Sequence, residues 1–392
     1  MILTNEQEQA LKIILNKYKN HEKYVTICGY AGVGKSTLAK FAIEALDVSP
    51  EKVAYATYTG KAAEVLRKKG NPNAMTLHKL LYDSIPRQGG GFIRIPKKTL
   101  DYDIVLIDEI SMAPKSMLEM LLKHKVFCIF MGDNFQLPQI DKNEAHDFLQ
   151  HPDIFLSTVM RQAAESEIIQ LTMKIRNGED IPFMHGKEVI VAPKAELVTG
   201  HLTWADIIIC ATNKTRHNMN RQKRELLGYS GVLQTGERII VKRNYWEDCD
   251  EDGNALVNGT VGTVANPYES FVRIPSYVKN DRRDLPLIGC IFTPDGGKSF
   301  DTFEIDKDYL LKEEPCVDWR VSYQLGKLKP KIGDILPKQA TYGYALTCHA
   351  AQGSEFDKVL VIEESFPFDK TEHQRWLYTA ATRAAEKLVL MR

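Results

Sequence analysis

An α/β fold of two parallel sheets, with a short β-hairpin inserted in the first and a small β module inserted in the second, is what this 392-residue sequence predicts. Three observations predict it. Apolar, β-branched runs alternate with amphipathic helical stretches over the first 160 residues, and the alternation returns from residue 206 and again after 340. Between roughly 230 and 340 the chain turns instead to short β-like runs broken by Gly, Pro and charge. Strands that alternate with helices read as βαβ units, whose parallel strands are covered on both faces. Such sheets carry their ligands at the carboxyl ends of the strands, so the residues that follow each predicted strand are the ones to inspect.

The first helix opens at "LTNEQEQAL", where Thr4 and Gln7 fit the capping box. The strand "KYVTIC" follows, then "GYAGVGKST" at 29–37, then the helix "KSTLAKFAIEAL". The pattern G-x-x-x-x-G-K-[ST] between a strand and a helix is a phosphate-binding loop. Gly29, Gly32 and Gly34 leave backbone N–H groups free to curl around phosphate oxygens, and the helix adds the positive end of its dipole. Lys35 is placed to reach the β and γ phosphates, and the hydroxyl of Ser36 or Thr37 to sit on Mg²⁺.

The strand "KVAYATY" delivers Thr59, Gly60 and Lys61, which can offer a hydroxyl, an N–H and a charge to a phosphate backbone. At 82–98, "YDSIPRQGGGFIRIPKK" pairs two short runs about a glycine-rich turn, with Pro86 and Pro96 as edge punctuation, and so predicts a hairpin. "VLIDEISM" ends a strand on Asp108 and Glu109. In a phosphate-loop protein the first carboxylate supports Mg²⁺ and the second can polarise an attacking water; capping of the next helix is the plainer alternative. "VFCIFMG" ends near Asp133 and Gln136, an acid and an amide that can sense a γ-phosphate.

The second alternating block begins with "DIIICATN" at 206–213 and a helix over 214–227. "GERIIVKR", "GTVGTV", "SFVRIP" and "LIGCIFT" are the β runs of the module, after which "YGYALTC", "KVLVIEE" and a last helix and strand complete the second sheet.

Composition limits the function classes. Hydrophobic residues at 44% and charged residues at 26% describe an ordinary soluble protein. No apolar run has a membrane span's length and the start lacks a signal peptide's order, so a cytoplasmic protein of phage- or bacteria-type cytosol, with no membrane partner, is expected. Seven cysteines without C-x-x-C spacing argue against a disulfide framework or a zinc site, and Cys28 and Cys128 fall in strand-like runs as small buried residues. Lys plus Arg equals Asp plus Glu at 51 each, so nucleic acid would need a locally basic groove rather than a global attraction. "RKKG" at 67–70 and "NKTRHNMNRQKR" at 213–224 are such clusters, although a charge run can equally be a solvated face.

"GYAGVGKST", "ATYTGKAAEVL", "TLHKLL", "LIDEISM", "MGDNFQLP", "VMRQ", "YALTCHAAQGSEFDKV" and "LYTAATRA" resemble, in their order and about their spacing, the superfamily 1 helicases, with wording nearest the RecD-like branch. The resemblance spans both alternating blocks. It implies two RecA-like domains with ATP between them and single-stranded nucleic acid across their upper faces. The expected boundaries are 1–160 for the first domain with its hairpin at about 82–98, 161–262 with 341–392 for the second, and 263–340 for the inserted, β-barrel-like module.

Carried over residue by residue, the resemblance keeps Lys35, Ser36, Asp108 and Glu109 in the parts just argued and makes Gln136 the γ-phosphate sensor. Arg161 and Arg383 resemble arginines pointed at the γ-phosphate, the alternative for each being a surface arginine paired with a carboxylate. Gln7 resembles an adenine-reading amide, beside its capping-box reading. His78, Thr347 and His349 lie in segments used along the nucleic-acid strand with Thr59, Gly60 and Lys61; Asn213 and Arg216 add contacts on the second domain; Gln352, Ser354 and Glu355 couple the ATP and strand sites.

The 30 positions from His78 to Asp108 leave room for a short hairpin and not the large inserted domain of the 3′-to-5′ branch. A monomeric 5′-to-3′ DNA helicase that uses ATP and Mg²⁺ on single-stranded DNA and DNA forks is therefore expected, with a single-strand-binding or replication protein as partner. Phe92 near the hairpin turn is expected to stack on a base and split the duplex, or else to pack within an ordinary hairpin. Two further readings stay open: an RNA helicase or remodeller of the same superfamily, and an ATP-gated clamp that binds single strands without unwinding.

Overall fold

The structure is a computed structural model describing residues 3–68, 70–71, 73–86, 92–138, 141–160, 164–249, 255–274, 284–295, 297–315, 337–365 and 369–392. Its chain forms two compact units. The first comprises Met1–Tyr82, Pro96–Ala211 and Thr347–Arg392, and the second Asp83–Ile95 and Thr212–Leu346.

In the first unit, helix α1 (Asn5–Lys19) precedes β1 (Tyr24–Gly29), α2 (Lys35–Leu46), β2 (Val53–Thr57), α3 (Gly60–Lys68), β3 (Met75–Thr76) and α4 (Leu77–Leu81). After the hairpin strands β4 (Tyr82–Pro86) and β5 (Phe92–Pro96) come β6 (Ile104–Ile107), α5 (Lys115–Leu121), β7 (Phe127–Gly132) and β8 (Ile154–Leu156). The sheet order is β3-β2-β6-β7-β1-β8, and every pairing in it is parallel. Because side chains alternate across a strand, each strand serves two cores. Phe127, Ile129 and Met131 of β7 pack with Ile14 of α1 and Leu38 of α2, whereas Cys128 and Phe130 pack with Leu77 of α4 and Leu118 of α5. Strands buried on both faces explain why these segments read as unbroken apolar runs.

The chain continues through α6 (Glu167–Asn177), β9 (Met184–His185), β10 (Val189–Ala192), α7 (Thr199–Trp204) and β11 (Ile207–Cys210). The second unit holds α8 (Asn213–Leu226), β12 (Arg238–Val241), β13 (Tyr245–Cys249), β14 (Ala255–Leu256), β15 (Val261–Arg273), β16 (Asp284–Pro294), β17 (Phe300–Asp306), α9 (Lys307–Lys312) and β18 (Ala340–Tyr342). Strand β19 (Ala345–Thr347) returns the chain to the first unit, where α10 (Cys348–Ala351), β20 (Phe356–Ile362), α11 (Lys370–Ala381) and β21 (Ala384–Met391) follow. There β11, β20, β21 and β10 lie side by side and parallel, with β9 antiparallel at the edge.

The β module is an antiparallel sheet in the order β17-β16-β15-β12-β18 around Ile239, Phe292, Phe303 and Ile305. Position 263, where the sequence reading starts the module, falls within β15, and β12 pairs with that strand from Arg238 to Ile240. The sheet therefore includes the run "GERIIVKR", as the change of composition near 230 marks, and the boundary at 263 comes too late. A buried ion pair between Arg224 of α8 and Glu237, with Arg224 4.0 Å from the Tyr342 ring centroid, ties the helix to the sheet. Beside it Asn220, 4% exposed, accepts the N–H groups of Tyr344 and Ala345 at 2.9 Å each and donates to the Ala345 carbonyl at 3.3 Å.

Asn220→Ala leaves those three backbone groups without their amide partner. It is expected to lower the stability of the chain by about 2–4 kcal/mol, read as an earlier urea transition, because unmet buried polar groups cost more than a hydrogen bond contributes.

Candidate nucleotide and nucleic-acid site

The phosphate-binding loop runs from the end of β1 into α2, whose N-cap Gly34 has φ +82°, a left-handed conformation that favours glycine. Lys35 folds back over the loop and donates from Nζ to the carbonyls of Gly29 and Tyr30 at 2.8 and 2.9 Å. Gln7 is buried against the same loop. It completes the predicted capping box with Thr4, and its Nε2 also donates to Val33 O at 3.4 Å. One amide thus caps α1 and braces the loop. Ser36 lies exposed in the first turn of α2, with Thr37 half-buried beside it and Gly32 exposed in the loop.

Asp108 stands just past the end of β6 and accepts the N–H of Glu109 at 2.9 Å. Glu109 has φ +53°, a strained value for a residue with a Cβ, and this turns the chain sharply after the strand. Burial pushes the Glu109 carboxyl above its ordinary 4.5; Arg383 and Lys35 pull it back, while the charges of Asp108 and Asp133 push it further up. Lys35, Asp108, Glu109, Asp133 and Arg383 therefore share one electrostatic neighbourhood.

Arg383, 5% exposed, donates to the Thr379 carbonyl at 3.1 Å, the Ser354 carbonyl at 3.2 Å and the Thr382 hydroxyl at 3.0 Å. It is a buried residue held by carbonyls, not a surface arginine paired with a carboxylate. Gln136 is buried too, and its Oε1 has no hydrogen-bond partner among the described residues. Arg161 lies outside the described residues.

Helix α11 closes over this cluster. The Tyr378 hydroxyl accepts the loop's Ala31 N–H at 3.3 Å and donates to Asp133 Oδ2 at 2.5 Å. Desolvation first, then the Asp133 charge, push the Tyr378 phenol far above its ordinary value, so it remains a donor. One residue further on, the Thr379 hydroxyl accepts the Leu137 N–H at 3.0 Å, and the Leu137 carbonyl accepts from Gln352 Nε2 at 2.9 Å. Tyr378 and Thr379 are absent from the residues singled out by sequence.

The first-unit residues that the sequence reading expects along a nucleic-acid strand lie as follows. Thr59 Oγ1 accepts the Ala62 N–H at 3.2 Å and so opens α3 with Gly60 and Lys61. Gly353 (φ +71°) approaches so closely that a Cβ there would lie 3.1 Å from Thr59 Oγ1 and from Ala62 Cβ. The segment of Gln352, Ser354 and Glu355 thus abuts α3 on one side and Arg383 on the other. Thr347 caps α10, and burial lowers the His349 imidazole below its ordinary value. His78 stacks with Tyr82 at a ring-centroid distance of 6.3 Å and lies tilted against Tyr58 at 5.9 Å.

Asn213 and Arg216 belong to the second unit. Asn213 is exposed in the first turn of α8, whereas Arg216 is 1% exposed and ion-paired with Glu313. The hairpin strands β4 and β5 are present as predicted, but the turn at 87–91 and the Phe92 side chain lie outside what is described. No described helix is long and apolar enough to cross a membrane, and Cys28 and Cys128 are buried and form no disulfide.

An AAA domain family matches residues 2–189, and a UvrD-like helicase C-terminal domain family matches residues 342–391. The ATP-dependent DNA helicase dda of Enterobacteria phage T4 is 30% identical over 191 residues, covering 45% of this chain and 43% of that protein. The ATP-dependent RecD2 DNA helicase of Deinococcus radiodurans is 32% identical over 397 residues, covering 97% of this chain and 48% of the relative. An uncharacterised protein of Acanthamoeba polyphaga mimivirus is 31% identical over 500 aligned positions and matches along all of both chains. The chain spans less than half the length of the first two relatives. Among solved structures, the Bacteroides Pif1 helicase in complex with ADP-AlF3 and ssDNA superposes with a TM-score of 0.53 at 19% identity, covering 100% of this chain and 92% of that one. That likeness is one of fold: two RecA-like domains.

Tyr378→Phe removes both hydrogen bonds of the hydroxyl and leaves Asp133 Oδ2 and the Ala31 N–H unmet. A loss of about 1–3 kcal/mol is expected in urea unfolding, against no measurable loss if the hydroxyl were merely solvated.

Proposed function

The chain belongs to the superfamily 1 helicases, in the RecD-like branch, and from that premise we propose that it is an ATP-driven DNA helicase that moves 5′ to 3′ on single-stranded DNA and separates duplex. The observation that carries the reading is the convergence of Lys35, Asp108, Glu109, Asp133 and Arg383 beside a loop built for phosphate, with the Gln352–Glu355 segment set between that cluster and Thr59.

In this reading the fit to Mg²⁺ rests on the exposed Ser36 hydroxyl and on Asp108, one of whose oxygens is used by the Glu109 N–H. No group of three or more His, Cys, Asp or Glu side chains that could cage a metal exists among the described residues. Few protein ligands suit a magnesium ion that retains waters and phosphate oxygens. Bound there, the ion would neutralise charge on the phosphates.

Glu109, its affinity for protons raised by burial, takes a proton from the attacking water as the water oxygen bonds to the γ-phosphorus and the β–γ bridging bond breaks. Lys35, Arg383 and Arg161 stabilise the charge on the transferring group, and the unpartnered Gln136 amide oxygen suits the orientation of that water. Gln7 is assigned to the adenine edge of the site. Thr59, Gly60, Lys61, His78, Thr347 and His349 track the strand in the first unit, and Asn213 and Arg216 in the second. For Arg216, its burial against Glu313 supports an indirect part.

Contacts that depend on the γ-phosphate bias the two RecA-like domains toward closure. Shifting such an equilibrium from 1:99 to 99:1 takes about 5.5 kcal/mol of differential binding, while a DNA stacking step averages about 1.4 kcal/mol. Short hairpin strands in place of a large inserted domain support 5′-to-3′ polarity, with Phe92 assigned to the separation of the strands.

Forked substrates with one single-stranded tail test the whole reading: unwinding with ATP on a 5′ tail and not on a 3′ tail is expected. The reverse preference would overturn the polarity, stimulation by RNA alone would point to an RNA helicase, and binding without unwinding to a clamp. Glu109→Gln is expected to lower turnover at least about a hundredfold with ATP binding retained, the scale of lost general-base action. Since a base works deprotonated and burial raises this one, the acid limb of wild-type kcat should lie above pH 4.5.

A further inference from the structure

Arg176 lies in the last turn of α6, and no motif singled it out. Its guanidinium carbon is 3.2 Å from the centroid of the Tyr30 ring, with the rings of Phe135 and Phe155 at 5.3 and 6.0 Å. Tyr30 and Phe155 meet edge to face at 5.2 Å, so the cation sits among rings that already pack on one another. Rings attract a guanidinium through their faces, yet they accept none of its in-plane N–H bonds. Nη1 is buried without a hydrogen-bond partner, and no carboxylate among the described residues forms an ion pair with Arg176. Such an unmet donor is unfavourable unless something with oxygens comes to it.

The guanidinium is also fixed and well aimed. Gln374 of α11 donates from Nε2 to the carbonyls of Ile175 and Arg176 at 2.5 and 2.9 Å, anchoring the helix end from which the side chain projects. Tyr30 is the second residue of the phosphate-binding loop, and Phe135 precedes Gln136. Arg176 is near enough to bear on the Cys28 thiol together with Lys35 and Asp133, and on the Tyr378 hydroxyl together with Asp133. A planar fork of donors, oriented by stacking and lacking an acceptor, matches a phosphate group with several free oxygens.

We propose that Arg176 donates a hydrogen bond to a terminal phosphate oxygen of the bound nucleoside triphosphate, and that this contact makes the site prefer a triphosphate over a diphosphate. The inference rests on the ATP-binding reading above. A diphosphate lacks the oxygens the fork would meet, so the effect falls on the ratio of the two affinities rather than on both alike.

The test is a fluorescence titration of the full chain with labelled ADP and a labelled, non-hydrolysable ATP analogue, for wild type, Lys35→Ala, Arg176→Gln and Arg176→Lys. Arg176→Gln is expected to weaken the analogue about tenfold or more and ADP less than about threefold, the scale of one charge-assisted hydrogen bond. Arg176→Lys, which keeps the charge and loses the planar fork, should fall between. Equal weakening of both nucleotides, or an unchanged ratio, would overturn the proposal while leaving the ATP reading intact. Wild type that binds neither nucleotide, or Lys35→Ala that binds both normally, would instead sink the ATP reading. Should Arg176→Gln melt well below wild type, the ratio in Arg176→Lys decides: a wild-type ratio there overturns the proposal.

Discussion

A parallel strand cannot rejoin its neighbour by a tight turn; it needs a crossover, and so every strand of a parallel sheet finishes on the same side. The rest of this structure depends on that constraint. It brings the loop after β1, the carboxylates after β6 and the acid and amide after β7 to one edge, although they stand far apart along the chain. The second parallel sheet obeys the same rule, and α11, its crossover between β20 and β21, carries Tyr378, Thr379 and the approach to Arg383.

Charge density is the consequence. Asp108, Glu109 and Asp133 gather where Lys35 and Arg383 also point, and burial makes each charge matter more than it would in water. The molecule holds the acids apart by giving them different neighbours. Asp108 bonds to the next N–H and Asp133 to a phenol and the Phe135 N–H, while Glu109 is left to respond to the cations. The left-handed backbone at Glu109 belongs to the same arrangement, since a straight continuation of β6 would carry the side chain past the cluster.

Much of this was legible in the sequence because it is local. The loop, the carboxylates at a strand end and the hairpin each occupy a few consecutive residues, and two-sided burial leaves unbroken apolar runs. Gln7 was legible as half of a capping box, and the structure has it satisfying that box while touching the loop. Tyr378 was not, for a plain reason: on an apolar helix face a tyrosine reads as core, and its hydroxyl partners lie 347 and 245 positions away. Arg176 was hidden likewise, since a basic residue in the last turn of a helix is what dipole compensation alone would put there. The run that forms β12 was legible as part of the module, but the boundary at 263 cut through β15, because only the pairing of β12 with β15 shows that they share one sheet.

Both backbone groups of a single residue, Leu137, are held by side chains from the far part of the chain, its N–H by Thr379 and its carbonyl by Gln352. Two anchors so close together behave like a pair of pins through one link. They resist sliding of the segment along its own length. They also hold main chain rather than side chain, so the bonds themselves depend on the two residues that grip and not on the Leu137 side chain. With the neighbouring Tyr378 hydroxyl bonded to Ala31 and Asp133, the grip becomes a row of fixed points along one helix.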